Sequence, residues 1–82
     1  MSNVTRCFII DLAVLLALGF VPNIRNPRYH TASVTIGGHT VWCKDFRKAR
    51  KIANRIMHIL YSRGLNVSYR VEDVYGNYQY NW

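Results

Sequence analysis

The stretch that decides the fold is YHTASVTIGGHTVWC, residues 29–43. Polar and apolar residues alternate on both sides of Gly37-Gly38, which is the period of a half-buried strand. Adjacent glycines reach the positive φ that both central positions of a two-residue hairpin turn demand. A loop of that length also fixes the register: Ile36 faces His39, Val34 faces Val41, and Ala32 faces Cys43 on an apolar side. The other side carries Thr35 with Thr40, Ser33 with Trp42, and Thr31 with Lys44. Trp42 is therefore expected on the polar face, with the apolar face turned toward helices.

Beyond the hairpin, residues 46–63 form the clearest helical pattern. Asp45 suits the N-cap, and Phe46, Ala49, Ile52, Ala53, Ile56, Ile59 and Leu60 recur at steps of three and four. Gly64 closes this helix. Leu65, Val67, Tyr69 and Val71 then alternate with Asn66, Ser68, Arg70 and Glu72, as a half-buried strand should. Gly76-Asn77 fits a second two-residue turn leading into residues 78–82. That turn would set Tyr75 against Tyr78, Asp73 against Tyr80, and Val71 against Trp82.

On the N-terminal side, residues 4–18 read as a helix that is apolar around nearly its whole circumference, so burial on most sides is expected. Gly19 suits a left-handed C-cap, with Phe20 and Val21 folding back onto the helix end. Pro22, Asn23, Asn26 and Pro27 mark a loop over residues 22–28. The stretches Leu18-Gly19-Phe20-Val21 and Arg63-Gly64-Leu65-Asn66-Val67 look alike because both stop a helix in the same way. A second reading makes residues 5–10 a strand, rich in β-branched and aromatic side chains, with Asp11 capping a shorter helix.

The expected fold is thus α+β, a single basic domain over residues 1–82. Two helices cover one face of a small, mostly antiparallel sheet in the order α-ββ-α-ββ. The alternative order is β-α-β-β-α-β, which is ferredoxin-like.

Charge narrows the function. Eleven basic residues stand against four acidic ones, a formal net charge of +7, and a surplus of that size points to acidic partners. Six of the cations, Lys44, Arg47, Lys48, Arg50, Lys51 and Arg55, fall between positions 44 and 55 against the single acid Asp45. Arg47, Lys51, Arg55 and His58 follow at three- and four-residue steps, forming a ridge opposite the apolar stripe. Tyr29, Trp42, Tyr75, Tyr78, Tyr80 and Trp82 make a sheet-rich aromatic set able to stack bases or anchor an interface, with Trp42 and Tyr29 the site candidates among them.

Catalysis has little to work with. Glu72 and Asp73 point to opposite faces of one strand, so they form no acid–base pair. Cys43 with a histidine lacks a nucleophile signature, and Gly37-Gly38 is a hairpin turn with no phosphate-cradling helix after it. His30, His39 and Cys43 leave a structural zinc site one ligand short. No enzyme activity, cofactor or metal is expected.

Cys7 and Cys43 read as reduced core thiols of a cytoplasmic protein. The apolar run over residues 8–21, interrupted by Asp11, is shorter than the roughly 20 residues that cross a bilayer, so no membrane span is expected. The partner expected is nucleic acid, or an acidic protein surface of a nucleic-acid-handling complex. The alternative is a phage-type inhibitor, a small viral accessory protein docking on an acidic or catalytic surface of a host enzyme or defence effector. In size and lack of catalytic residues, though not in any motif, the chain is similar to CRISPR inhibitors and polymerase inhibitors of that kind. Residues 78–82, as an edge strand, could also pair two copies into a homodimer.

Overall fold

The computed structural model describes residues 3–20 and 23–81, with side chains for residues 6–20 and 23–80. Helix α1 (Asn3–Ala17) precedes the hairpin of β1 (Ala32–Ile36) and β2 (His39–Cys43). Helix α2 (Phe46–Ser62) follows, and then β3 (Tyr69–Asp73) and β4 (Tyr78–Asn81). The order is α-ββ-α-ββ, and the four strands form one antiparallel sheet in the order β2-β1-β3-β4. Residues 5–10 lie inside α1, so the ferredoxin-like alternative does not hold. Helix propensities differ by only tenths of a kcal/mol per residue, and burial outweighs them. Ile10, Ala13 and Ala17 reach the core only when they share one helical face.

The hairpin register is the one the Gly-Gly turn dictates, Ala32↔Cys43 through Ile36↔His39. Gly37 and Gly38 have φ of 56° and 88°. Gly37 has a second constraint: a Cβ there would stand 2.8 Å from Cδ1 of Ile10 on α1. The turn is thus both a strand reversal and the seat of the first helix.

Strand β1 lies at the centre, between β2 and β3, and Val34 and Val71 face each other with no exposure. Ala49, Ala53, Ile56, Met57 and Leu60 of α2 close over them. Each buried Val, Ile or Leu contributes about 1.5–3 kcal/mol relative to exposure. Leu65 and Val67 are also buried, as their alternation predicts, although β3 begins only at Tyr69.

Both helices end in the same hydrogen-bonded motif. Phe20 N–H donates to Leu15 O and Gly19 N–H to Leu16 O; Leu65 N–H donates to Leu60 O and Gly64 N–H to Tyr61 O. Gly19 and Gly64 take positive φ to make this possible. The packing differs, however. Leu65 is buried, whereas Phe20 is 66% exposed and does not fold back; Val21 lies outside the described residues. Helix α1 is also less enclosed than its composition suggests, with Phe8, Leu15 and Leu16 exposed. It rests on α2 and on the hairpin turn along one side only.

The second hairpin departs from expectation. Glu72 pairs with Tyr78, Val71 with Gln79, Arg70 with Tyr80, and Tyr69 with Asn81. Tyr75 does not face Tyr78, and Asp73 does not face Tyr80. The cause is Asp73, whose carboxylate accepts from Tyr75 N–H, Asn77 N–H and Asn77 Nδ2, organising a longer loop than two residues. The odd shift in register moves Tyr78 and Tyr80 to the other face of the sheet. Trp82 lies outside the described residues.

Candidate functional site

Helix α2 starts where Asp45, in extended conformation, accepts Lys48 N–H on Oδ1 at 2.8 Å. With the apolar stripe held against the sheet, a helix advancing about 100° per residue must present Arg47, Lys51 and Arg55 outward. All three are exposed, and so are Lys48 and Arg50 on their flanks. Arg47, Arg50, Lys51 and Asn54 border one shallow hollow, and Asn54, Arg55 and His58 border the next. Asn54 is therefore framed by cations on both sides. Lys44, the sixth basic residue, leaves the group: it ends the hairpin, and its Nζ lies 5.9 Å from the Tyr29 ring centroid.

The acids are engaged elsewhere. The chain has four Asp and Glu residues in all. Asp11 meets Nδ1 of His39 at 3.2 Å, and Glu72 meets Nε of Arg70 at 3.4 Å. Asp45 caps the helix, and Asp73 ties the β3–β4 loop. Hydrogen bonds from Asn77 hold the Asp73 carboxyl below its ordinary pKa. Among the described residues, no side-chain carboxylate forms an ion pair with a cation of α2. Two cations, moreover, stand in the first turn, where the positive end of the helix dipole disfavours them.

Trp42 lies on the opposite side of the sheet. It is half-buried rather than fully open. Asn23 pairs with its main chain, and the Arg25 guanidinium lies over its ring, 4.8 Å from the centroid. Tyr29 is half exposed and packs edge-on against His30 at 5.2 Å. Nδ1 of His30 accepts Asn26 N–H at 2.8 Å. The structure thus separates the residues singled out by sequence: five cations share the α2 face, while Trp42 sits behind the sheet and cannot extend that footprint.

The sheet face away from the helices also carries two of the sheet aromatics that the expected register had set on the helix side. Tyr78 and Tyr80 stand there, their rings stacked at 5.1 Å, beside Arg70. The missed signal was Asp73 at the start of a Gly-Asn turn, a residue able to lengthen the loop through main-chain hydrogen bonds.

Buried thiol chemistry is disfavoured at Cys43. Burial first, and the Asp45 carboxylate second, push its pKa up to about 11. Both cysteines are free; Cys43 is buried as expected, whereas Cys7 is exposed on α1 and is not a core thiol. Among the described residues, no three His, Cys, Asp or Glu side chains gather closely enough to hold a metal ion. Nor, among those residues, is any helix long and apolar enough to cross a membrane. Comparison with protein families, curated proteins and solved structures gives no match.

Proposed function

We propose that this chain is a non-catalytic binder of nucleic acid that docks the exposed face of α2 against the phosphate backbone. The observation supporting this reading is the set Arg47, Lys48, Arg50, Lys51 and Arg55, exposed together while all four side-chain carboxylates are engaged elsewhere. Like charges at helical spacing cost a few tenths of a kcal/mol per pair, and cations in the first turn add a similar penalty. An approaching row of phosphates reverses the sign of both effects. Each neutralised phosphate also releases condensed counterions, which makes the affinity steeply dependent on salt.

The test is binding to duplex and single-stranded DNA across a salt series. Four or five phosphate contacts predict a slope of log K against log salt of about −3 to −4.5. Absence of binding at low salt, or an affinity indifferent to salt, overturns the proposal. Retention of an acidic protein after nuclease treatment, without nucleic-acid binding, would instead favour docking on a protein surface.

A further inference from the structure

The face of the sheet turned away from the helices has a pattern that a phosphate-binding helix does not require. Two rows of side chains cross it. One runs Trp42, Ser33, Glu72, Tyr78, and the next runs Thr40, Thr35, Arg70, Tyr80. Each row therefore has small or polar side chains in the middle and a tyrosine on the β4 edge, and the first has Trp42 on the β2 edge. Both helices lie on the other side; the loop carrying Asn23 and Arg25 reaches over this face at its Trp42 edge, and the β4 edge with Tyr78 and Tyr80 is exposed.

The Trp42 end is the more constructed of the two. Asn23 fixes the tryptophan's main chain through both amide atoms, and the Arg25 guanidinium lies over the ring as a cation. Beside the ring is a cleft of about 240 Å³, bordered by Arg25, His30, Ser33, Trp42 and Glu72. It is smaller than the roughly 300–1,000 Å³ of drug-sized ligand sites, so it suits one planar ring system rather than a whole cofactor. The small Ser33 between Trp42 and Glu72 leaves the depression, and the Glu72 carboxylate can accept from an exocyclic amine. At the β4 end, the Tyr78 and Tyr80 rings form a second stack.

We infer that this face binds the unpaired bases of a single-stranded nucleic acid, one base against Trp42 and another against the Tyr78–Tyr80 pair. The inference rests on the proposal that the chain binds nucleic acid, and it assigns a second surface, on the side of the sheet opposite α2, for unpaired bases. Three strand spacings separate β2 from β4, about 14 Å, which about four stacked nucleotides span and fewer extended ones suffice to cross. Every base offers a π-face, so stacking of this sort needs no particular sequence. Arg25 supplies a cation beside Trp42 for a phosphate, and Arg70 offsets Glu72 at 3.4 Å, so the middle of the face carries no net negative charge to repel the strand. A duplex keeps its bases stacked inside and cannot present them to a sheet. A second copy of this chain is a poorer occupant because each copy carries a net charge of +7. A lipid surface is poorer still, since threonines, a serine and an ion pair separate the rings.

The experiment compares a labelled DNA single strand, the same strand annealed to its complement, and an abasic strand of equal length, using fluorescence anisotropy at low salt. Stacking energies per base predict that the wild type prefers the base-bearing strand over the abasic one by about tenfold or more. Trp42→Leu, and separately Tyr78→Ser with Tyr80→Ser, should each lower that preference severalfold while duplex binding stays within about twofold. The tyrosines are exposed, so the second variant keeps the test open if Trp42→Leu unfolds. Equal affinity of the wild type for base-bearing and abasic strands overturns the inference, as does a preference unchanged in both variants. The two readings fail separately. Charge reversal on α2 that leaves binding intact removes the helix surface, whereas the abasic comparison reports on the sheet alone.

Discussion

The side-chain amide of Asn23 is joined to the main chain of Trp42 by two hydrogen bonds, Nδ2 donating to the Trp42 carbonyl at 2.8 Å and Oδ1 accepting its N–H at 2.6 Å. Strand β2 is a sheet edge, and its outward amide and carbonyl would otherwise offer a template for another strand. Asn23 satisfies both with one side chain, and the same contact carries Arg25 over the indole.

Replacing Asn23 with Ala should therefore cost about 1–2 kcal/mol, because two part-buried main-chain groups lose their partners. Denaturant unfolding is the measurement: the midpoint falls while the slope with denaturant stays constant. A midpoint equal to that of wild type would show that the clamp orders nothing.

Gly37 and Gly38 both have positive φ, yet their substitutions should differ. Gly37→Ala adds a methyl 2.8 Å from Cδ1 of Ile10, whereas Gly38→Ala meets nothing within 4 Å. Both incur backbone strain, but the first also forces the α1 contact to shift, adding roughly 1 kcal/mol or more. Thermal unfolding of the two variants side by side measures the difference.

Asp73 makes the β3–β4 loop sensitive to acid. Its pKa is lowered in the fold from the ordinary 3.8, chiefly by the Asn77 side-chain hydrogen bond. A depressed carboxylate contributes fully above its unfolded pKa and loses that contribution as pH falls through its lower native value. NMR titration should place the Asp73 carboxyl below 3.8, and Asn77 amide exchange should rise only under more acidic conditions. Asp73→Asn should remove that acid-dependent step.

The cysteines should react in sequence. Alkylation of the native protein at mildly alkaline pH modifies exposed Cys7, while Cys43, buried and raised to about 11, reacts only after unfolding. An unfolded thiol ionises near 9.0, so between about 9 and 11 the unfolded state loses its proton first. Stability falls as pH rises through that window. Mass spectrometry after a timed reaction counts the labelled thiols.

The contrast between the two hairpins explains what could be read from sequence. Gly37-Gly38 permits one short turn, and period-two alternation then fixes every partner from Ala32 to Cys43. Gly76-Asn77 looked equivalent, but Asp73 reaches forward to Tyr75 and Asn77, and a side-chain hydrogen bond four residues long leaves no trace in hydrophobic periodicity. The α2 face was legible because a single amphipathic helix encodes its own two sides. The partnership of Asn23 with Trp42, 19 residues apart, was not. Asn23 read as a loop residue, because which edge a loop lies against is decided by the sheet as a whole. Nor could the sequence place α2 and Trp42 on opposite sides of the same sheet without the strand order β2-β1-β3-β4.

The central claim is that the uncompensated cations of α2 exist to meet phosphates, and the charge-reversal variant Arg47→Glu, Lys51→Glu, Arg55→Glu tests it most directly. All three positions are exposed, so far-UV circular dichroism should remain that of the folded protein. The affinity for duplex DNA should fall by about a hundredfold or more at low salt, and the slope of log K against log salt should shrink by about 2–3. A folded variant that binds with wild-type affinity and wild-type salt dependence would contradict the account.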